Sequence, residues 1–514
     1  MKNFNNQAVY RFLNDVAGKY PDKKAVICET DSCTYIELQH TMNNWALVLL
    51  SLGVKKGDRV AFFMKNRVEL VELYFACFRM GAIAVPLNTR YAEAEAEYAL
   101  NQSGSKILIV SSELFPVVKN IKDKVESLEN LYIIDENTNY ESLSWKNIAV
   151  DKDISIPEPQ MQDAVIIIYT SGSTGHPKGV VHTNYSISNH ILNKTESQDL
   201  DEREVALAGT QISHIAGFAA LLIPTLANGG LFTMVPEFEP GKYIQYLKNY
   251  KPTFMVLLPT ELLEVLEHPN VKDADFSRLH SMLIGGDKVS NYLYELFRKN
   301  AGFDLMEGCG MTECEGYCCQ PRHGKKIPGS IGMATTGVEI RLVNSQLQDV
   351  AIGETGEIWL KAKSVMPYYW NNPEETKKAY VDGWFRTGDL AYEDKDGYYY
   401  FVSRIKELII RGGSNIAPGE VESVIDDHPA VELCGVVGFP DEHYGSIVGA
   451  FIVPKDGITV PSTEELIKFA AKKLAQYMIP EKWIFVKSLP RNAVGKIDRK
   501  KLHEIVKEQK YDDL

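Results

Sequence analysis

A glycine- and hydroxyl-rich segment is the feature of this sequence whose residue types most clearly suit a chemical role. Residues Tyr169–Gly179 contain three glycines and four serines or threonines. Such a loop can wrap backbone N–H groups around phosphate oxygens, and Lys178 adds a cation. It is not a Walker loop, because the spacing Gly-x-x-x-x-Gly-Lys-[Ser/Thr] does not occur in it. Taken alone, it is also compatible with a flexible polar turn.

Three further places carry residues that suit the chemistry of a bound phosphate ester. Thr312–Glu313 pairs a hydroxyl with a carboxylate, which suits Mg²⁺, although such a dipeptide often caps a helix. Asp389 ends a Thr-Gly-Asp sequence and could accept hydrogen bonds from two hydroxyl groups, or simply form a turn. Lys496 stands between apolar residues, which is unusual for a solvated run of charge.

The composition excludes several classes of function. The formal net charge of −13 argues against nucleic acid or an anionic membrane surface as the main partner. The N-terminus lacks the apolar core of a secretory signal, and the uncharged stretch Ile215–Pro236 predicts a helix, a turn and a strand because proline and glycines interrupt it. The eight cysteines are irregularly spaced, which predicts reduced thiols in a cytoplasmic protein.

Short β-branched runs alternating with helical patterns predict an α/β fold. The continuous apolar runs indicate buried parallel strands; they are Arg59–Met64, Lys106–Ser111, Ala164–Tyr169, Thr253–Leu258 and Ser281–Ile284. Closely spaced runs follow, and they indicate an antiparallel subdomain; these are Glu339–Val343, Gly356–Leu360 and Tyr398–Val402. An amphipathic helix is predicted at Thr463–Leu474.

The expected architecture is a large N-terminal domain with a small C-terminal one. Residues 1–403 should form layered parallel αβ sheets plus a small antiparallel, β-barrel-like subdomain. Residues 404–406 should form a hinge, and residues 407–514 a small mobile α+β lid domain.

Five motifs in order resemble those of the adenylate-forming superfamily, which contains acyl-CoA synthetases, adenylation domains and luciferases. The motifs are Tyr169–Gly179, Gly308–Glu313, Trp384–Leu390, Arg404–Glu422 and Pro490–Lys496. The resemblance extends over nearly the whole chain. It implies an ATP-dependent acid–thiol ligase that converts a carboxylic acid to acyl-AMP and then to acyl-CoA, with ATP and Mg²⁺ as cofactors.

The resemblance also implies roles for individual residues. Thr312 would contact the α-phosphate, Glu313 would hold Mg²⁺, and Asp389 and Arg404 would bind the ribose. Lys496 would neutralise charge between the reacting carboxylate and the α-phosphate. The remaining nucleotide and coenzyme residues implied are Thr170, Ser171, Gly172, Ser173, Thr174, Gly175, Lys178, Asp287, Gly308, Cys309, Gly310, Met311, Gly412 and Gly413.

The two reactions need different partners at one centre, which explains a mobile domain. Lys406 aligns with the hinge of the family. Rotation about it would replace Lys496 with Gly412–Gly413, where the absence of side chains would let a pantetheine arm pass.

Two positions depart from the family pattern. Cys309 stands where an aromatic ring usually stacks on adenine, so a lower affinity for ATP is expected. Asp287 replaces a common alanine, and it either binds the adenine amino group or caps the following helix.

The acyl pocket should be lined by small or soft side chains, which suits a fatty or other small-to-medium uncharged acid. Its predicted residues are His214, Gly217, Gly286, Gly310, Met311 and Cys314. His214 would either change rotamer between the two steps or be a satisfied buried histidine.

The predicted partners are the acid, ATP and coenzyme A, with neither nucleic acid nor a membrane-integral state. A homodimer is compatible with the sequence. The alternative acceptor is the phosphopantetheine of a carrier protein, for which a stand-alone adenylation enzyme would use the same residues.

Overall fold

Apolar runs rich in β-branched residues form strands, as the sequence predicts. The computed structural model describes residues 7–135, 155–170, 177–286, 289–492 and 496–511. The strands are β1 (Lys24–Cys28), β2 (Asp31–Thr34), β3 (Arg59–Phe63), β4 (Ile83–Pro86), β5 (Ile107–Val110), β6 (Asn130–Ile133), β7 (Ala164–Thr170), β8 (Lys178–Thr183), β9 (Val205–Ala208), β10 (Leu231–Met234), β11 (Phe254–Leu257), β12 (Ser281–Gly285), β13 (Met306–Met311), β14 (Cys314–Cys319), β15 (Met333–Ala334), β16 (Val338–Val343), β17 (Gly356–Ala362), β18 (Tyr368–Tyr369), β19 (Tyr380–Val381), β20 (Trp384–Glu393), β21 (Tyr399–Arg404), β22 (Ile409–Arg411), β23 (Ser414–Ile416), β24 (Val431–Asp441), β25 (Gly445–Pro454) and β26 (Lys482–Phe485).

The helices occupy the amphipathic segments between the strands. They are α1 (Val9–Lys19), α2 (Tyr35–Ser51), α3 (Val68–Met80), α4 (Glu93–Ser103), α5 (Phe115–Val118), α6 (Asn184–Gln198), α7 (Ile223–Asn228), α8 (Pro240–Tyr250), α9 (Pro259–Glu267), α10 (Asn291–Ala301), α11 (Pro373–Ala379), α12 (Pro418–Asp426), α13 (Thr463–Ala470) and α14 (Arg499–Glu508). A π-helix spans Ala216–Leu222, and short 3₁₀ helices span Lys122–Lys124, Val271–Asp273, Ile405–Glu407 and Gln476–Met478.

Two large sheets confirm the predicted parallel architecture, with antiparallel strands at some edges. The first has the order β15-β14-β13-β12-β11-β9-β10-β1-β2, and it is parallel from β13 to β1. The second has the order β18-β8-β7-β4-β3-β5-β6, and it is parallel from β7 to β6. One buried cluster draws on both sheets, including Val26, Phe62, Ile166 and Phe232.

The predicted antiparallel region is also present. Strands β16-β17-β20-β19 form one sheet with β21 paired to β20, and β22–β23 form a hairpin. The last sheet, β24-β25-β26, packs with α12, α13 and α14 around its own apolar residues. Helix α13 ends at Ala470, four residues before the end predicted for it.

The chain divides into two compact units. One contains Met1–Ile340 and Leu360–Phe385, and the other contains Arg341–Trp359 and Arg386–Leu514. The stretch Ile215–Pro236 forms the π-helix, α7, a left-handed turn at Gly229 and β10, as predicted. Among the described residues, no helix is long and apolar enough to cross a membrane.

Candidate active site

The glycine-rich segment connects two antiparallel strands. Thr170, at the end of β7, lies opposite Lys178, at the start of β8. Ser171, Gly172, Ser173, Thr174 and Gly175 lie outside the described residues, so their phosphate contacts stay predictions. The hairpin nevertheless places the two described ends of this segment side by side.

The side chains of Tyr369 and Glu375 contact Lys178. Its ammonium group forms an ion pair with Glu375 on α11 and lies 4.8 Å from the centroid of the Tyr369 ring. The hydrogen bond from Lys178, joined by one from Lys378, lowers the pKa of Glu375 to about 2. The Glu375 carboxylate is therefore ionised at neutral pH, and it holds the Lys178 ammonium group at the start of β8.

Thr312–Glu313 forms the two-residue turn between β13 and β14, so these residues do not begin a helix. The helix-cap interpretation is therefore wrong. The carboxylate of Glu313 accepts a hydrogen bond of 2.6 Å from the Tyr369 hydroxyl group. Burial, followed by the Glu313 charge, raises the pKa of Tyr369 well above its usual value, so the hydroxyl stays protonated and donates. Tyr369 thus contacts both Lys178 and Glu313.

A buried histidine holds the other side of this turn. His182 donates from Nε2 to the Thr312 carbonyl oxygen at 2.8 Å, and its Nδ1 lies 3.2 Å from the Ser186 hydroxyl group. Burial lowers the pKa of His182 to about 4, so the ring is neutral at neutral pH. The turn is therefore positioned through both its backbone and its glutamate side chain.

We expect Tyr369→Phe to lower the free energy of unfolding by about 1.5–3 kcal/mol, since a hydrogen bond to a charged, buried group is lost. Adenylate formation should fall with it, because Glu313 loses a positioning contact. Urea unfolding and pyrophosphate exchange measure the two effects. Tyr368→Phe is the matched control, because Tyr368 is exposed and its hydroxyl group makes no hydrogen bond to the described residues. Equal losses in both variants would contradict the role given to Tyr369.

Cys309 lies in β13 opposite Cys318, and its sulfur is 3.0 Å from the Tyr317 hydroxyl oxygen. Tyr317 is fully buried. The adjacent Gly310 approaches the neighbouring strand so closely that an added Cβ would lie 2.4 Å from the Gly316 nitrogen. The side chain at position 309 therefore has a tyrosine already packed beside it, which sequence reasoning did not anticipate.

If Cys309 faces adenine, Cys309→Tyr should lower the KM for ATP about five-fold, because an aromatic face contributes on the order of 1 kcal/mol beyond burial. The KM for the acid should not change. Steady-state kinetics and the melting temperature are the measurements, with Cys309→Ser as a control of similar size. A less stable variant would mean that the ring clashes with Tyr317. A stable variant with an unchanged ATP KM would contradict the adenine assignment.

The predicted acyl-pocket residues lie on the π-helix segment and on the β13–β14 hairpin. His214 precedes the π-helix, and its Nδ1 accepts a hydrogen bond of 3.3 Å from the Ala216 N–H. A Cβ on Gly217 would lie 2.4 Å from the Gln211 carbonyl oxygen, so only glycine fits there. The π-helix packs against β11 and β14, where Cys314 is buried. Gly286 has φ +88° at the end of β12, and Asp287 lies outside the described residues.

In the second compact unit, Asp389 and Arg404 lie opposite each other on β20 and β21. The Arg404 Nε is 3.1 Å from a carboxylate oxygen of Asp389, and Asp389 is 1% exposed. The two residues predicted to bind ribose are thus adjacent. A cross-strand pair of this kind orients a carboxylate and a guanidinium group together.

The hinge and lysine-loop residues belong to the same unit. Lys406 lies in the 3₁₀ helix Ile405–Glu407. Gly412 and Gly413 form the two-residue turn between β22 and β23 with φ of +55° and +84°, as a type I′ hairpin requires. The Lys496 N–H donates to the Asn492 side chain at 3.1 Å, and the Asn492 N–H donates to the Lys496 carbonyl at 2.8 Å.

Sequence reasoning missed Tyr369, Glu375, His182 and Tyr317. The first three come from outside the motifs that they support, so motif spacing could not reveal them. The aromatic run Tyr368–Trp370 was the one local signal, since buried tyrosines usually find a hydrogen-bond partner.

Comparisons with known proteins identify the family and the fold of this chain. Residues 13–370 match the AMP-binding enzyme family and residues 420–496 match the AMP-binding enzyme C-terminal domain. A feruloyl-CoA synthase from Amycolatopsis sp is 34% identical over 93% of this chain and 94% of its own. A fatty acid–[acyl-carrier-protein] ligase, ScoC, from Streptomyces coeruleorubidus is 31% identical over 95% of this chain and 93% of its own. The anthranilate CoA ligase AuaEII, solved with anthranoyl-AMP, has a TM-score of 0.89 at 26% identity, covering 98% of this chain and 97% of its own.

The chain belongs to the AMP-binding enzyme family. It is an ATP-dependent acid–thiol ligase of the AMP-forming acyl-CoA synthetase type, which makes an acyl-adenylate and transfers the acyl group to coenzyme A.

Proposed function

We propose that this enzyme activates a fatty or other small-to-medium uncharged carboxylic acid with MgATP and passes the acyl group to free coenzyme A. The observation that carries the proposal is the shared contact of Tyr369, whose ring lies against Lys178 and whose hydroxyl group binds Glu313. It joins the glycine-rich hairpin to the Thr312–Glu313 turn. A phosphate-binding cation and a metal-binding carboxylate are thereby built into one site.

Adenylation replaces a poor leaving group with a good one. A carboxylate oxygen attacks the α-phosphorus, the bond to the β-phosphate oxygen breaks, and pyrophosphate leaves. In this proposal, Thr312 binds the α-phosphate, and Lys178 and the residues from Thr170 to Gly175 bind the other phosphates. Asp389 and Arg404 bind the ribose, and Lys496 offsets the developing charge. The protein contributes mainly position and fixed charge.

Glu313 is proposed to hold Mg²⁺, and its surroundings fit that ion. Among the residues that the structure describes, no group of three or more His, Cys, Asp and Glu side chains could hold a metal by itself. Mg²⁺ commonly takes one or two carboxylates together with the phosphates of its substrate, which a single buried glutamate satisfies. When bound, the ion would neutralise phosphate charge.

The second reaction breaks the mixed anhydride. The thiol sulfur attacks the acyl carbon, AMP leaves, and the thiol proton is released. In the proposal, the chain turns at Lys406 and brings Gly412–Gly413 to the position that Lys496 occupied, while His214 changes its rotamer. Gly308, Gly310 and Met311 would line the nucleotide and acyl sites.

A carrier-protein phosphopantetheine is the second candidate acceptor, and the similarity to ScoC is the observation that favours it. The test is a pyrophosphate-release screen over fatty, aromatic and amino acids, followed by turnover with free coenzyme A against turnover with a holo carrier protein. Faster turnover with the carrier would overturn the coenzyme A proposal. Release of no pyrophosphate with any acid would overturn adenylation.

Two further properties belong to the proposal. Seven of the eight cysteines are buried, and all eight are free thiols, which supports a reducing compartment such as the cytoplasm. A homodimer remains compatible with the chain, and light scattering would measure it.

A further inference from the structure

A lysine is buried on the inner face of α6, where charged side chains are rare. Lys194 is 6% exposed, and His190 and Gln198 stand one turn before and one turn after it on the same buried face. An ammonium group is expensive to bury unless anions or hydrogen-bond acceptors surround it.

The described residues do not supply such a partner for Lys194. Its Nζ lies 5.6 Å from the centroid of the Phe254 ring, a cation–π contact. Within the described part of the chain, no ion pair or hydrogen bond joins the ammonium group to another residue, and the Nζ is not one of the fully buried atoms without a partner, so it keeps access to solvent. Its three N–H donors therefore lack acceptors among these residues.

Two buried oxygen atoms near Lys194 lack hydrogen-bond donors. The Glu315 Oε2 and the Gln198 Oε1 are buried, and neither accepts a hydrogen bond from the described residues. The Nε2 of His190 lies 3.4 Å from Glu315, but its N–H donates to the Ala219 carbonyl oxygen at 2.8 Å. Burial lowers the pKa of His190, so the ring is neutral and does not neutralise the carboxylate.

These groups adjoin the elements that carry the predicted acyl pocket. Glu315 and Gly316 follow Cys314 on β14, and Gly316 contacts Gly310 on β13. Ala219, which His190 contacts, lies on the π-helix with Gly217. Among the described atoms, a Cβ added to Gly316 would meet only the Lys194 Nζ, at 3.9 Å, so the ammonium group lies beside this strand.

We propose that the acyl site ends in a polar subsite formed by Lys194, Glu315 and Gln198, which binds a hydroxyl group at the far end of the acid. This inference rests on the proposed function. A hydroxyl group both donates and accepts, so it can accept from the lysine and donate to the glutamate or the glutamine oxygen.

Other acyl ends fit the subsite less well. An apolar end would leave the Glu315 and Gln198 oxygens buried and unpaired. A second carboxylate only accepts hydrogen bonds, and it would face the Glu315 carboxylate and the Gln198 oxygen. An ammonium group would face Lys194. The mixed donor and acceptor set therefore favours an uncharged hydroxylated acid, aliphatic or phenolic.

The test compares matched acids on the whole enzyme by pyrophosphate release with saturating MgATP. The pairs are cinnamic against 4-hydroxycinnamic acid and octanoic against 8-hydroxyoctanoic acid, with octanedioic acid as the charged analogue. We expect kcat/KM to favour the hydroxylated member of at least one pair by about 10²-fold, since a site that binds a hydroxyl group strongly rejects the analogue without one.

Lys194→Met should reduce that preference to near unity, because the loss in kcat/KM falls on the hydroxylated member of the pair. Lys248→Met is the matched control, because Lys248 is an exposed lysine on α8, and it should keep the full preference. If Lys194→Met does not fold, the ratio of kcat/KM for the hydroxylated acid to that for the plain acid is measured on Glu315→Gln instead. That substitution replaces one carboxylate oxygen with an NH2 group. A merely structural lysine would alter stability and leave the ratio unchanged.

The outcomes separate this inference from the proposed function. Equal use of plain and hydroxylated acids by the wild type, or preference for octanedioic acid, would overturn the hydroxyl subsite and leave the ligase activity standing. An unchanged ratio in Lys194→Met would also overturn it. Release of no pyrophosphate with any acid would overturn the proposed function and this inference together.

Discussion

Lys496→Ala should reduce adenylate formation about 10³-fold and largely spare thioester formation from pre-made acyl-AMP. A unit charge about 4 Å from the reacting phosphate contributes roughly 4 kcal/mol at an effective dielectric constant of about 20. That free energy corresponds to about three powers of ten in rate. Pyrophosphate exchange and single-turnover thioester formation measure the two half-reactions separately.

The loop around Lys496 makes this substitution a clean test of charge. Its hydrogen bonds to Asn492 use the backbone N–H and carbonyl of Lys496, so alanine retains them. Lys500→Ala is the control, because Lys500 is an exposed lysine at the start of α14. Equal loss in both half-reactions would contradict the assignment of Lys496 to adenylation.

Gly413→Leu should have the opposite effect, lowering thioester formation by about 10²-fold while pyrophosphate exchange remains near the wild-type rate. A side chain at this turn would obstruct the pantetheine arm, and a misplacement of about 1 Å at a reacting centre can cost 10²-fold in rate. Position 413 suits the test better than 412, because a Cβ on Gly412 would lie 3.2 Å from the Tyr444 ring, whereas one on Gly413 would meet no atom of the described residues within 4 Å.

Backbone strain needs its own control here, because Gly413 has φ +84° and leucine is disfavoured there. Gly457→Leu supplies it, since Gly457 has φ +74° in a turn with equally open surroundings. Both variants should lose similar melting temperature, but only Gly413→Leu should lose turnover with coenzyme A. Normal coenzyme A turnover in Gly413→Leu would remove the argument for passage beside this turn.

The sequence determined which segments form strands, and it predicted which side chains carry the chemistry. Runs such as Ala164–Tyr169 and Thr253–Leu258 became buried strands β7 and β11, because apolar β-branched residues specify burial through local composition. The motifs that carry Lys178, Glu313, Asp389 and Lys496 could be recognised because each is contiguous and its residue types suit one chemistry, and the roles of these four residues stay predictions. Membership of the AMP-binding family followed from their order.

Only the tertiary structure decided which residues support those groups. Tyr369 reaches Glu313 across 56 positions, and Glu375 reaches Lys178 across 197. The burial of Lys194 was equally hidden, because one lysine on a helix has the same local pattern whether its face meets solvent or a strand. Periodicity along the chain predicts the face of the helix or strand on which each residue lies. It carries no information about which distant strand arrives beside that residue, since sheet order and register are set by packing of the whole core.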